Sequence, residues 1–223
     1  MKNIVVFTGA GISAESGLST FRDSGGLWDK YKIEEVATLE AFKSNPKLVL
    51  DFYNLRRRQL LKTNPNSAHY SLNKLQDKYN LSVITQNIDD LHERSGTENV
   101  LHLHGKLRES KSILDNSIYS IEGADLNLGD LCPNGSQLRP NVVWFGESVP
   151  KMDEAINLVL LSDIFIIIGT SLNVYPAASL LNYAKRAKRI IIIDPNAEFH
   201  KGVEIIKQKA SIAVPNLVSD LLC

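Results

Sequence analysis

Cysteine is scarce in this chain: 223 residues include only Cys132 and Cys223. Two thiols far apart in sequence cannot make a disulfide framework or a four-cysteine zinc site, so an intracellular, metal-free protein is expected. An excess of charge of either sign is also lacking, because 25 Lys and Arg balance 25 Asp and Glu. That balance gives no electrostatic footprint for nucleic acid or an anionic membrane, and it points to a small-molecule or peptide partner. Long hydrophobic runs are missing as well. The opening "MKNIVVFTGA" places a lysine before an apolar run, but "IVVF" is shorter than the roughly 7–15 residues of a signal-peptide core. The run "LVLLSDIFIIIG" is broken by Ser162 and Asp163 and falls short of the ~20 residues that span a bilayer. The expectation is a soluble, cytoplasmic protein, with no internal repeat and no low-complexity segment.

What the chain does contain is a series of short, β-branched apolar runs: "IVVF", "LSVIT", "VLHLH", "VVWF", "IFIIIG" and "RIIIID". Continuous runs of this kind suit strands covered on both faces. Helical patterns such as "MDEAINLVLLS" and "AASLLNYAKRAK" lie between several of them, which predicts an α/β, Rossmann-like doubly wound parallel sheet. A chain of this length suits one main domain carrying insertions. Residues 30 to about 78 hold helical patterns without a strand, with Pro46 marking a helix start, and read as a helical insertion. Residues 107 to about 139 are polar and turn-rich and read as a small irregular insertion.

The strongest local signal is "FTGAGISAESG" directly after the first strand. Gly9, Gly11 and Ala14 satisfy G-x-G-x-x-G/A, the pattern of a phosphate-binding turn at a helix N-terminus, although a plain strand-to-helix turn uses the same residues. The acid that normally ends a second strand ~20 residues later is absent, because Glu34 and Glu35 fall in the helical insertion. In "STFRDSGGLW", Arg22 could meet phosphate and Phe21 could cover a cofactor ring; the alternative is a surface arginine and a core aromatic. "VITQNIDDLHERSG" carries Asn87 and Asp89 to the carboxyl end of a strand, where α/β folds bind ligands, and Asp90 is read as a helix cap. In "LHLHGK", His102 reads as a packed histidine. His104, at the strand-to-loop boundary, reads as the candidate general base. "DFYNLRRRQL" sets Tyr53 and Arg56 on one helix face, followed by Arg57 and Arg58, which read as solvated.

Taken in order, "GAGISAESG", "TFRD", "TQNIDDLH", "LHLHGK", "LRPNVVWFGE" and "GTSLNVYPAA" resemble the sirtuin family of NAD-dependent protein deacylases over essentially the whole chain. The resemblance implies that Gly9, Ala10 and Gly11 cradle the NAD pyrophosphate, with Ala14, Arg22 and Phe21 nearby. It places Gln86, Asn87 and Asp89 at the ribose and nicotinamide, and Gly169, Thr170, Ser171, Asp194 and Ala210 along the rest of the NAD site. In the implied mechanism the acyl oxygen of a modified lysine attacks the ribose carbon as nicotinamide leaves, and His104 activates a ribose hydroxyl, with Asn87 and Asp89 assisting. Val143, Trp144, Phe145, Gly146 and Glu147 would bind the acyl-lysine peptide by strand addition.

The second insertion occupies the place of the family's zinc ribbon. It keeps only Cys132 of the usual cysteine pairs, so no metal is expected. "YNLR" matches the Tyr-x-x-Arg of relatives that remove succinyl and malonyl groups. The implied function is therefore desuccinylation and demalonylation together with deacetylation, releasing nicotinamide and O-acyl-ADP-ribose from NAD. The alternatives are protein ADP-ribosyl transfer or NAD hydrolysis, and a non-catalytic NAD-sensing module.

Overall fold

The computed structural model describes residues 1–18 and 30–223. Its strands are β1 (Asn3–Thr8), β2 (Asn80–Thr85), β3 (Val100–His102), β4 (Gly105–Ser112), β5 (Ile118–Ser120), β6 (Leu138–Val142), β7 (Ile164–Ile168), β8 (Arg189–Ile193) and β9 (Glu204–Ile206). Its α-helices are α1 (Ala10–Ala14), α2 (Ile33–Val36), α3 (Leu39–Ser44), α4 (Pro46–Lys62), α5 (Ser67–Asn73), α6 (Leu91–Arg94), α7 (Met152–Leu160) and α8 (Ala210–Leu222). The main sheet runs β3-β2-β1-β7-β8-β9 and every pairing in it is parallel. The chain winds outward from β1 in one direction and from β7 in the other. A crevice therefore opens above the carboxyl ends of these two strands, the usual ligand position of a doubly wound sheet.

The unbroken apolar runs follow from burial on both faces. In β1, Ile4 and Val6 join a core with Ala68 and Leu72 of α5 and Val214 and Leu217 of α8. Val5 and Phe7 face the opposite core with Ala155 and Val159 of α7. Strand β7 divides the same way, Ile166 and Ile168 to the first core and Phe165 and Ile167 to the second. Because side chains alternate strictly, a register slip of one residue would exchange the two sets. A third core lies beside the sheet, where Phe42 of α3 and Val49 and Phe52 of α4 pack on Leu107, Leu126, Val142 and Trp144. Helix α4 begins as its sequence predicts, with Pro46 in the first turn and the Asn45 side chain accepting from the Leu48 N–H at 3.2 Å.

Several elements differ from the sequence reading. "VVWF" is not a strand of the parallel sheet: β6 ends at Val142 and pairs antiparallel with β4, in a three-stranded sheet ordered β5-β4-β6. The segment 107–139 thus contains regular structure that no apolar period announced, because the inward residues of β4 include Ser110 and Ser112, both buried. "AASLLNYAKRAK" forms a 3₁₀ turn over Ala177–Tyr183. Three residues per turn line up Ala177, Leu180 and Tyr183 on the sheet core. Strand β9 and helix α8, with Pro215 inside it, had no reading.

The largest departure concerns Arg57. It is 0% exposed, and its guanidinium ties α4 to the second insertion. Nε donates to the Leu107 carbonyl at 2.7 Å, and Nη1 donates to the Ala124 carbonyl at 2.7 Å and to Asn54 Oδ1 at 2.9 Å. Asn54 closes the clamp, accepting from the Leu126 N–H at 2.9 Å and donating to the Leu126 carbonyl at 3.1 Å. Burial pulls the Arg57 guanidinium down to about 10, still charged at neutral pH. Arg58, in contrast, reaches Asp125 at 2.7 Å in an exposed pair. Arg57→Met strands the buried Leu107 carbonyl and the part-buried Ala124 carbonyl and should lower unfolding stability by about 2–4 kcal/mol. Arg58→Met should leave it essentially unchanged, because the Arg58–Asp125 pair is exposed. Urea denaturation of the two variants beside the parent measures the contrast.

Candidate active site

A cavity of about 930 Å³ opens at the crevice between β1 and β7 and extends under α4 and the segment after β6. Its floor is made by two backbone loops in contact. The Gly9 N–H donates to the Ile168 carbonyl at 3.0 Å and the Gly11 N–H to the Gly169 carbonyl at 2.8 Å. A Cβ on Gly11 would lie 2.6 Å from the Gly169 Cα, and one on Gly169, at φ +63°, would lie 2.4 Å from the Ile12 nitrogen. The glycines are therefore needed for loop-on-loop packing. This revises the expectation that Gly9 and Gly11 offer amide donors to a phosphate, since both amides are already bonded. Ala10, Gly11 and Ala14 line the cavity. Phe21 and Arg22 lie outside the described residues.

Residues after β2 complete this floor. Asn87 Nδ2 donates to the Gly9 carbonyl at 3.1 Å and to Ser13 Oγ at 3.0 Å, and the Asn87 N–H donates to Thr85 Oγ1 at 3.0 Å. Ser13 in turn hydrogen bonds to Asp89, whose Oδ1 accepts from the Leu91 N–H at 3.2 Å. Asp90 occupies the N-cap position of α6, as its sequence predicts, but the side chain that binds the first amide of the helix is that of Asp89. Asp90 instead approaches Arg94 at 3.5 Å and Arg108 at 3.9 Å. Burial pushes the Asp89 carboxyl up, against the hydrogen bonds from Leu91 and Ser13. Ser13 was not singled out from sequence, and nothing but its place in the glycine loop marks it.

His104 and His102 stand two residues apart in the chain and differ in their surroundings. His104 lines the cavity, and its Nδ1 lies 3.0 Å from the Gln86 carbonyl. A carbonyl can only accept, so Nδ1 carries the proton and Nε2 is left with its lone pair. Burial lowers the pKa of this ring. His102 has both nitrogens engaged, Nδ1 with the Asn87 carbonyl at 3.0 Å and Nε2 with Glu93 Oε1 at 2.8 Å. Burial works to raise the Glu93 carboxyl, but hydrogen bonds from His102 and Lys106 outweigh it and hold the group at about 2. Next to His104, Gln86 Oε1 accepts from Thr170 Oγ1 at 3.1 Å, while Gln86 Nε2 is buried with no acceptor among the described residues.

Helix α4 supplies another wall. Tyr53 and Arg56 both line the cavity, and the Arg56 guanidinium carbon lies 6.0 Å from the Tyr53 ring centroid and 5.8 Å from that of Phe52. Burial pushes the Tyr53 phenol up, with Arg56 and Trp144 opposing, and pulls the Arg56 guanidinium down, with Tyr53 and Asp89 opposing. The segment 143–147 runs alongside, but most of its amides are occupied. The Val143 N–H donates to the His104 carbonyl, that of Phe145 to the Ala37 carbonyl and that of Glu147 to the Trp144 carbonyl, each at 3.0 Å, and that of Trp144 to Glu147 Oε2 at 2.8 Å. Strand addition across this whole segment is therefore narrowed to carbonyls and the Gly146 N–H. Trp144 is a buried core residue, and its ring carries Arg139 at 3.7 Å from the centroid. The sequence reading quoted "LRPN" without weighing Arg139.

The far end of the cavity is lined by Gly169, Thr170, Ser171, Asp194 and Ala210, at the ends of β7 and β8 and the start of α8. Asp194 Oδ1 accepts from the Asn196 N–H at 2.8 Å. Among the described residues no group of three or more His, Cys, Asp or Glu is placed to hold a metal ion, and buried Cys132 sits 3.7 Å from Ser112 Oγ. One cavity thus joins a neutral histidine, a tyrosine–arginine pair and a glycine-floored cleft at the switch point of a parallel sheet.

Comparisons with known proteins agree with this geometry. An NAD-dependent protein deacylase of Helicobacter pylori (strain ATCC 700392 / 26695) is 52% identical over 226 residues, covering 100% of this chain and 98% of its own length. A Sir2 homolog–NAD complex is 40% identical and superposes with a TM-score of 0.90 over 99% of this chain and 90% of its own. A Sir2 protein bound to an acetylated peptide is 30% identical, with a TM-score of 0.83 over 97% of this chain and 92% of its own. The family model described as Sir2 family matches residues 9–176, and on these grounds the chain belongs to the Sir2 family.

Proposed function

We propose that residues 1–223 act as one catalytic unit that removes acyl groups from lysine side chains of proteins with consumption of NAD, and that its acyl pocket accepts succinyl and malonyl as well as acetyl groups. The observation that carries the proposal is a single cavity lined both by His104, with Nε2 unprotonated, and by the Tyr53–Arg56 pair. NAD-dependent deacylation is also the activity named for the Helicobacter pylori relative.

The residues present fit NAD. Among the described residues the buried Gln86 Nε2 donor in the cavity wall has no acceptor, and the cleft is lined from the ends of β1 and β7 to Asp194 after β8. Ala10, Gly11, Thr170 and Ser171 would lie along the phosphates and riboses, with Asp194 and Ala210 toward the adenosine end. Bound NAD supplies an electrophilic ribose carbon with nicotinamide as leaving group, and a ribose hydroxyl that takes over the acyl group. The chain's own contribution is placement and proton transfer. Asn87 and Ser13 hold the glycine loop against the end of β2, and Asp89 anchors that network through α6. His104 keeps its proton on Nδ1 and accepts one at Nε2. At the other end Arg56 and Tyr53 offer a cation and a hydroxyl to an acyl carboxylate, the pairing expected for charge-assisted recognition. A neutral, hydrogen-bond-oriented His104 favours a deacylase over a NAD hydrolase, which has no need of that base.

Four measurements test the reading. With succinyl and acetyl forms of one lysine peptide, Arg56→Met should cut succinyl kcat/KM on the order of 10- to 100-fold, mainly through KM, and leave acetyl turnover within a few-fold. Equal loss of both in a folded variant would assign Arg56 to the scaffold. Nicotinamide release should also require the acyl peptide, and release without it would favour NAD hydrolysis. His104→Ala should reduce deacylation about 10²- to 10⁴-fold. Its pH dependence has a definite sign. The neutral ring is the active form, and burial lowers its pKa from the usual 6.5. Activity should therefore hold as pH falls to 6.5 and be lost only below it, in the acid limb of a kcat/KM profile.

A further inference from the structure

An indole N–H can donate a hydrogen bond and cannot accept one. Trp144 Nε1 lies 2.9 Å from the Tyr53 hydroxyl, so the Tyr53 oxygen is the acceptor in this pair and its own O–H proton must turn elsewhere. Among the described residues that hydroxyl makes no other hydrogen bond, and Tyr53 lines the cavity beside Arg56. We infer that Trp144 is a positioning residue for acyl specificity: it occupies the acceptor side of the Tyr53 hydroxyl and thereby fixes the phenol as a donor to an anionic acyl terminus next to Arg56. The inference rests on the carboxylate-pocket reading above and adds to it the residue that sets the direction of the tyrosine's hydrogen bond.

The surroundings of Trp144 suit that task. Its ring is held between Arg139 at 3.7 Å and Phe42 at 5.4 Å from centroid to centroid, and its backbone N–H is bound by Glu147 Oε2 at 2.8 Å. The same carboxylate oxygen pairs with Arg139 Nη2 at 2.7 Å, so one ion pair fixes both the main chain and one face of the indole. A donor held this firmly leaves the Tyr53 hydroxyl little rotational choice. Burial also keeps the phenol protonated, so it has a proton to give. A carboxylate is acceptor-only and takes both that proton and the guanidinium fork. An acetyl methyl takes neither, which makes acetyl turnover an internal control for folding and for the His104 chemistry.

The test is a double-mutant cycle with Trp144→Phe, Tyr53→Phe and both together, with Arg56→Met alongside, each assayed with succinyl and acetyl forms of one peptide. The indole N–H is removed while an aromatic ring is kept. Trp144→Phe should lower the succinyl-to-acetyl ratio of kcat/KM roughly 10-fold through the succinyl KM. Tyr53→Phe should lower the ratio at least as much, and the double variant should be no worse than Tyr53→Phe alone, because both changes break one unit. The inference is overturned if Trp144→Phe reduces both acyl groups alike, which would mean packing alone, or if the two effects multiply independently. If Arg56→Met leaves the ratio unchanged, the carboxylate-pocket reading itself fails. If Arg56→Met lowers the ratio while Trp144→Phe leaves it alone, only the role of Trp144 falls.

Discussion

The site depends on how closely two backbone loops approach at the switch point of the sheet. Gly9 and Gly11 on one side and Gly169 on the other leave no room for a side chain, with Cβ positions that would fall 2.4–2.7 Å from backbone or side-chain atoms of the facing loop. Their amides continue the parallel ladder past the ends of the strands: Gly9 donates to Ile168, Gly11 to Gly169 and Gly169 to Ile193. This ties the ends of β1, β7 and β8 into one surface. Asn87 extends it to β2 by reaching the Gly9 carbonyl, and the Gln86 carbonyl extends it to His104. His104, the proposed base, is thus referenced to the same backbone that floors the cleft, which is the kind of preorganisation that proximity catalysis requires.

Helix α4 shows how one short stretch serves several neighbours at once. In "YNLRRR" each i, i+3 pair projects in its own direction, because successive residues are turned by roughly 100° about the helix axis. Tyr53 and Arg56 face the cavity. Asn54 and Arg57 face the second insertion and bind the carbonyls of Ala124, Leu107 and Leu126. Leu55 and Arg58 are exposed. The insertion that lacks zinc ligands is fastened by a buried guanidinium and an amide acting on main-chain groups, which tethers 107–126 to the helix that also presents the acyl pocket. Movement of one would be felt by the other.

The central strands, the helical segment at 39–62 and the choice of His104 over His102 were legible because each leaves a local mark: unbroken β-branched runs, a proline after an asparagine cap, a histidine at a strand end. What was not legible depended on partners distant in sequence. Arg57 resembles its exposed neighbour Arg58 in every local respect, and only the carbonyls at 107 and 124 distinguish them. Strand β4 hides because its buried positions include serines that bond within the small sheet. Asp90 takes the N-cap position of α6, yet which of the two carboxylates binds the Leu91 N–H is decided only by the fold, and it is Asp89. The glycine loop left a phosphate-binding turn and a plain strand-to-helix turn both open, and its need for glycine is visible only in three dimensions: what approaches it is Gly169, 160 residues from Gly9 along the chain.

The occupied amides of 143–147 bear on where selectivity resides. A peptide laid along this segment meets mostly carbonyls and the Gly146 amide, so main-chain pairing there can orient a substrate while distinguishing little between sequences. The acyl end is different. In the proposed acyl pocket the Arg56 cation and the Tyr53 hydroxyl line the same cavity wall, and burial strengthens each polar contact because water no longer competes for it. The same burial penalises a ligand that leaves the donors unpaired, although Arg56 keeps Tyr53, Phe52 and Asp89 as neighbours when no carboxylate is present. That internal company limits the penalty for a neutral acyl group. It is the physical reason for expecting one pocket to accept both succinyl and acetyl chains instead of rejecting the smaller one outright.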